Sequence, residues 1–248
     1  MSPLEALGIF AAGGAAGAIN VVVGSGTLIT FPTLLAFGYA PVVANVSNTI
    51  GLVPGSVAGA IGYRRELRGL AQHMARLACA TALGAATGAT LLLTLPASAF
   101  KSIVPIFIVL ALVLIIAQPR LASLLRRHRP HSGRVGPPAL AAVYATGVYG
   151  GYFGAAQGIM LLAILGLALD ADLQSVNGVK NVLAGLANLL SGVIFASVAH
   201  VAWPAVGLIA AGSVTGGVLG ARYGRRLPPG PLRALIVAVG IVAVVRLL

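Results

Sequence analysis

Long apolar stretches separated by short polar turns make up nearly the whole chain. A bilayer core about 30 Å thick takes roughly 20 apolar residues per helical crossing. Measured this way, eight stretches separate: 4–39, 41–63, 77–95, 102–117, 137–169, 173–201, 203–221 and 231–248. A polar segment over 119–136, carrying Arg120, Arg126, Arg127, Arg129 and Arg134, falls between the fourth and the fifth. The pattern predicts an all-α integral membrane protein.

The first and fifth stretches are too long for one crossing and too short for two. Each contains a glycine-rich interruption: Gly13, Gly14, Gly17, Gly24 and Gly26 in one, and Gly147, Gly150, Gly151, Gly154 and Gly158 in the other. Glycine weakens a helix by about 1 kcal/mol relative to alanine and permits the conformations a reversal needs. This reads as two helical hairpins, breaking near Gly24–Gly26 and Ala156–Gly158. The alternative is a single tilted helix in each case, its glycines serving only close packing.

Sliding the chain against itself by 132 residues brings Gly26 onto Gly158, Asn45 onto Asn177, Gly84 onto Gly216, Gly88 onto Gly220 and Leu95-Pro96 onto Leu227-Pro228. Two tandem repeats of about four helical segments are expected, 1–116 and 137–248, joined by a basic cytoplasmic linker at 117–136. Charges differ between equivalent loops. The 64–76 loop holds Arg64, Arg65, Arg68 and Arg76, whereas 196–203 holds no Lys or Arg. The 96–101 turn has only Lys101, whereas 222–233 has Arg222, Arg225, Arg226 and Arg233. Short Lys/Arg-rich loops stay cytoplasmic, so the repeats are expected to be inverted. One hairpin and three crossings per repeat satisfy the rule and put both termini outside. Inverted repeats characterise secondary transporters, whose sites sit near the midplane at the repeat interface.

Composition narrows the class further. Of 248 residues, 58% are hydrophobic and 8% charged, with a net charge of +12. Soluble globular proteins carry roughly 25% charged residues, so an aqueous surface is excluded. Nucleic-acid binding would need a basic face on a soluble core, and none is expected. The lone Cys79 leaves no disulfide framework and no CxxC motif. Met1-Ser2-Pro3-Leu4-Glu5 lacks the positive region that opens a signal peptide.

Several of these features occur together in one known family. A glycine-rich first run ending Gly24-Ser25-Gly26 leads to the polar helix start Ala44-Asn45-Val46-Ser47-Asn48-Thr49. Gly62-Tyr63-Arg64-Arg65 follows, then Gly84 and Gly88 before a Leu-Pro turn, and the pattern recurs. Over nearly its whole length the chain resembles the sulfite exporter TauE/SafE family of bacterial membrane transporters. The resemblance implies movement of small sulfur-containing anions such as sulfite, thiosulfate or sulfonates across the inner (plasma) membrane. Three positions depart from the family pattern. Its usual glycine triplet reads Gly24-Ser25-Gly26-Thr27 here, the second break reads Ala155-Ala156-Gln157-Gly158, and Lys180 stands where small or hydroxyl residues are usual.

An anion at the middle of a bilayer needs hydrogen-bond donors and positive potential. Free N–H groups at the start of a returning half-helix supply donors. Ser25, Gly26 and Thr27 are candidates in the first repeat, with Gln157 and Gly158 in the second. The plainer reading is a packing turn whose hydroxyls satisfy their own backbone. Asn45, Asn48 and Thr49 share one face of the next helix, and Asn177, Lys180 and Asn181 repeat that face 132 residues on. Asn188 reads as helix glue.

A lysine at the bilayer centre costs about 2.5–3.5 kcal/mol and marks a pathway. Lys180 is therefore the sharpest candidate, unless it snorkels to the interface or pairs with Asp170 or Asp172. The four acids, Glu5, Glu66, Asp170 and Asp172, fall near stretch ends, and His73, His128, His131 and His200 in loops, so no proton relay stands out. Trp203 reads as an interfacial anchor. No catalytic constellation, metal site or cofactor motif is expected. The expected partners are a small inorganic or organosulfur anion and the lipid bilayer, with a homo-oligomer open. A channel, a carrier for another small solute, a membrane enzyme and a non-transporting subunit remain the alternatives.

Overall fold

The computed structural model describes residues 1–68, 70–127, 135–224, 234 and 236–241. Among these lie nine named helices and no strand: α1 (Pro3–Val22), α2 (Thr27–Ala36), α3 (Pro41–Gly62), α4 (Ala71–Thr94), α5 (Ala97–Arg127), α6 (Pro137–Tyr152), α7 (Gln157–Ala168), α8 (Leu173–Val198) and α9 (Trp203–Tyr223). Five of them are long and apolar enough to cross a membrane: α1, α8, α9, and the 73–94 and 97–120 parts of α4 and α5.

Local chemistry sets the helix starts. In α1, Ser2 Oγ accepts from the Glu5 N–H at 3.2 Å, and the Ser2 N–H donates to Glu5 Oε2 at 3.2 Å. This capping box satisfies two donors that the first turn leaves free. In α8, the Asp172 carboxylate accepts from the Gln174 N–H at 2.8 Å and from the Ser175 N–H at 3.2 Å and hydroxyl at 2.6 Å. A proline in the first turn of α1, α3, α6 and α9 removes a donor that would otherwise go unmet.

Chain breaks fall at residues 23–26 and 153–156. Gly24 (φ +86°) and Gly154 (φ +77°) take the left-handed conformation at them, joined by the non-glycine Ala156 (φ 59°). After each break the short helix lies back along its predecessor. Gly8 of α1 meets the Phe37 ring just beyond α2, and Gly26 meets Ala16. The first turn of α6 and the last turn of α7 face each other across a groove of about 350 Å³ lined by Pro138, Ala142, Leu167 and Ala168. With 10, 16 and 12 residues, α2, α6 and α7 measure about 15, 24 and 18 Å, all short of the bilayer core.

Helix directions follow from which glycines meet which residues. Along α1 and α9 the contacts rise together, Gly13 with Ile209 and Gly17 with Ser213, so the pair is parallel. The same holds for α4 and α6 (Gly84 with Tyr144, Gly88 with Val148) and for α3 and α9 (Gly51 with Ile209, Gly55 with Ser213). Between α3 and α8 the order reverses: Gly178 faces Tyr63, Gly185 faces Ser56, and Gly192 faces Ile50. The basic 64–68 segment and the 199–202 turn therefore lie at opposite ends of this central antiparallel pair.

Exchanging the halves maps one interface onto the other. Gly84 and Gly88 of α4 press on the Tyr144 and Val148 carbonyls of α6. Gly216 and Gly220 of α9 press on the Gly14 and Ala18 carbonyls of α1. The helix after each central helix, α4 or α9, is thus seated on the first helix of the other half, backbone against backbone. Most of the glycines in the long stretches serve this packing: Gly13, Gly14 and Gly17 sit inside α1, and Gly147, Gly150 and Gly151 inside α6. The break falls at Gly24 and Gly154.

The structure departs from the sequence expectations at three points. The register between halves is not uniform, because Gly24 answers Gly154 at an offset of 130, whereas α3 and α8 begin 132 apart. The two extra residues lie in α7, which has twelve where α2 has ten. A boundary at 116/117 falls inside α5, which continues through Pro105 and Pro119 to Arg127. His73 lies in the first turn of α4 rather than in a loop, while His128 and His131 lie outside the described residues. The Leu227-Pro228 half of the repeated Leu-Pro turn, with Arg225, Arg226 and Arg233, also lies outside them.

Two stability measurements check this architecture. A Cβ at Gly88 would collide with the Val148 carbonyl, whereas nothing lies within 4 Å of one at Gly207. Gly88→Val is expected to destabilise by about 1–3 kcal/mol, read as a lower thermal unfolding midpoint in detergent, and Gly207→Ala to keep the midpoint or raise it, by up to about 1 kcal/mol. Asp172→Ala should cost about 1 kcal/mol through the lost cap. The Ser175 hydroxyl holds the Asp172 carboxyl below its usual range. The cap's contribution is therefore complete above the ordinary carboxylate pKa and fades as pH falls through the lowered one. The gap between wild type and Asp172→Ala should narrow on acidification.

Candidate functional site

A helix that stops inside a membrane protein leaves carbonyl oxygens that lipid cannot satisfy, and that need partners from the protein wherever water is excluded. The two breaks create this problem at the ends of α1 and α6, and the central antiparallel helices answer it. Asn45 of α3 donates its Nδ2–H to the Tyr152 carbonyl at the end of α6, at 2.9 Å. Asn177 and Asn181 of α8 donate to the Val21 carbonyl at the end of α1, each at 3.3 Å. The Lys180 ammonium donates to the Asn20 and Val21 carbonyls at 3.1 and 3.0 Å. Each central helix thus grips the broken end belonging to the opposite half.

Lys180 has no exposed surface, and among the described residues it is the only buried charged side chain. The negative end of the α1 dipole, roughly half an elementary charge, faces it. Snorkelling to an interface is thereby excluded, and so is a partnership with Asp172, which caps its own helix. Asp170 is exposed.

The breaks also meet directly. The Gly158 N–H donates to the Gly24 carbonyl at 3.1 Å, and each glycine leaves no room for a Cβ against the other. Side chains at these positions would hold the two tips apart.

Other candidate residues divide by what they already bind. Both polar atoms of Asn48 are engaged, one Nδ2–H donating to Thr27 Oγ1 at 3.2 Å and Oδ1 accepting from the Thr30 hydroxyl, so it fixes the start of α2. The Thr49 hydroxyl donates to the Asn45 carbonyl on its own helix at 2.9 Å. The Gly158 N–H is engaged by Gly24, and the Gln157 N–H by the Gly154 carbonyl at 3.2 Å. The start of α7 thus spends its donors within the chain. At the start of α2, Gly26 is the N-cap residue, with no side-chain cap, and its N–H points to Asn20 Oδ1 at 3.5 Å.

Five buried polar atoms near the breaks have no hydrogen-bond partner: Ser25 Oγ, Gln157 Nε2, Asn45 Oδ1, Asn177 Oδ1 and the Tyr152 hydroxyl. Their residues are 1, 3, 0, 7 and 6% exposed. Unpaired buried polar atoms are rare in native folds and call for an explanation. Asn188 is only half-buried.

The two breaks differ in their surroundings. Phe153 packs edge-on against Phe31 of α2 at 5.1 Å and Phe100 of α5 at 6.2 Å, and Phe107 packs against Tyr149 at 5.0 Å. The second break is thus walled by aromatic rings, while the first holds the cation. Sequence reasoning missed Asn20, Thr30 and this aromatic wall. Asn20 was detectable as an amide inside an apolar run four residues before Gly24; the wall was not, because its rings come from three separated segments.

Comparison with known proteins places this geometry in a family. The model of the family described as "Sulfite exporter TauE/SafE" matches residues 9–247. The probable membrane transporter protein YfcA of Escherichia coli K12 is 28% identical over 228 residues, covering 92% of this chain and 82% of the relative. A probable membrane transporter protein of Haemophilus influenzae is 29% identical over 216 residues, covering 86% and 83%. The probable membrane transporter protein ORF9 of a Sinorhizobium species is 28% identical over 244 residues, covering 97% and 91%. No solved structure gives a significant match. With five membrane-capable helices and a family match along almost its full length, this chain is a multi-pass membrane transporter and belongs to the sulfite exporter TauE/SafE family.

Proposed function

We propose that the protein carries small sulfur-containing oxyanions of the sulfite, thiosulfate or sulfonate type across the bacterial inner membrane by alternating access, with the substrate held where the two breaks meet. The observation that carries this reading is Lys180: a fully buried ammonium anchored to the broken end of α1. A cation at that depth is retained where a passing anion offsets it. Ser25, whose hydroxyl is buried and unpartnered on the next turn of chain, supports the same place. In this reading Ser25, Gly26, Thr27 and Lys180 bind the anion, Asn45, Asn177 and Asn181 hold the broken ends and line the site, and Asn48 and Thr49 brace α2 and α3. Gln157 and Gly158 form the opposing tip.

Two inverted repeats, each opening with a re-entrant hairpin, would provide the moving parts. The antiparallel α3 and α8, the shortness of α2, α6 and α7, and the exchange of interfaces between halves support that arrangement. The Gly24–Gly158 contact is then the point at which the two tips part. The basic 64–68 segment, together with Arg222 at the end of α9, supports a cytoplasmic face shared by these two ends.

Flux and topology test the reading separately. In liposomes, Lys180→Met should reduce sulfite counterflow at least tenfold and Ser25→Ala several-fold, in protein whose elution from a sizing column matches wild type. Unchanged flux in both variants would remove the site. In a Cys79→Ser background, Ser98→Cys should react with an impermeant maleimide from outside the cell and Tyr223→Cys only after the membrane is opened. Reaction of both from one side overturns the inverted arrangement.

A further inference from the structure

We infer that the substrate is a singly charged oxyanion that carries its own hydrogen-bond donor, a hydroxyl or amine beside the anionic group, and that the site discriminates against anions able only to accept. This inference rests on the anion-transport reading above and concerns what that site requires of its ligand.

The orientation of two amides carries it. Asn45 and Asn177 each direct Nδ2 at a backbone carbonyl, Tyr152 and Val21 respectively. Turning either amide over would set its oxygen against a carbonyl oxygen, so the hydrogen-bond network fixes which atom faces away. The atoms left over are acceptors, Asn45 Oδ1 and Asn177 Oδ1, both buried and both without a partner. A sulfite or sulfonate oxygen offers these atoms only repulsion. The complementary leftovers, the Ser25 and Tyr152 hydroxyls and the Gln157 amide, which can present its N–H groups, suit the anionic oxygens instead. A ligand that satisfies all of them presents acceptors and at least one donor.

Charge sets the valence. Lys180 is the only buried charge among the described residues, and the carbonyls it binds, with the dipole of α1 behind them, offset part of its charge. What remains balances one negative charge and leaves a second uncompensated. Of the four acids, Glu5 caps α1, Asp172 caps α8, Asp170 is exposed and Glu66 lies in the segment beyond the end of α3. A proton or other donor carried on the substrate replaces the one the protein does not supply.

The test uses pairs of permanent monoanions alike in charge and differing by one donor. Ethanesulfonate and 2-hydroxyethanesulfonate are titrated into the purified full-length protein, with sulfite as reference and sulfate as the dianion, and binding is read by calorimetry. The hydroxylated sulfonate should bind about tenfold or more tightly than its parent, because the parent leaves a buried acceptor unmet. Sulfate should bind more weakly than either. In Asn45→Ala and Asn177→Ala, at least one variant should narrow the preference threefold or more. Sulfite binding with equal affinity for the two sulfonates overturns the donor requirement alone, as does a preference that survives both substitutions. Binding of none of these anions overturns the transport reading together with it.

Discussion

A helix that ends within a membrane protein must find partners for its last carbonyls, and the rest of this molecule is arranged around that requirement. Lipid tails cannot provide them, so they must come from water or from the protein itself. The ends of α1 and α6 are met by amide and ammonium groups from α8 and α3. The selection of polar residues on the two central helices follows from that need. Asn45, Asn177, Lys180 and Asn181 sit where they do because broken backbone from the other half arrives there.

The glycines serve a second constraint. Apolar side chains give no net drive for helices to associate inside lipid, so close backbone approach and directed hydrogen bonds must hold the bundle. Gly84, Gly88, Gly216 and Gly220 each bring their helix onto a carbonyl of the neighbour. The approach is too close for a side chain, which fixes the register of α4 on α6 and of α9 on α1. The breaks are thereby delivered to one another, Gly24 against Gly158, with little freedom along either axis.

Much of this could be read from the sequence because membrane helices obey a length rule and polar residues within them are few. Asn45, Asn177 and Lys180 stood out for that reason. The second break was displaced by two residues, since a gap-free alignment places Gly26 on Gly158 and hides an insertion of apolar residues in α7 that has no polar signature. The role of Thr49 was not legible either. A threonine in a helix can return its hydroxyl to the carbonyl four residues earlier, and no pattern of spacing distinguishes that from a hydroxyl facing a ligand. Nor did composition reveal that Lys180 leans on carbonyls rather than on Asp172, a choice made by the arrival of α1 from far away in the chain.

The cross-half grip has a consequence for how the protein is made. When α1 and α2 leave the ribosome, the carbonyls of Asn20 and Val21 have no partner of their own. The groups that satisfy them lie on Asn177, Lys180 and Asn181, separated by 156–160 residues of chain still to be synthesised. The first half therefore enters the membrane unfinished. Its break must stay solvated, or sheltered by the insertion machinery, until α8 arrives to close it.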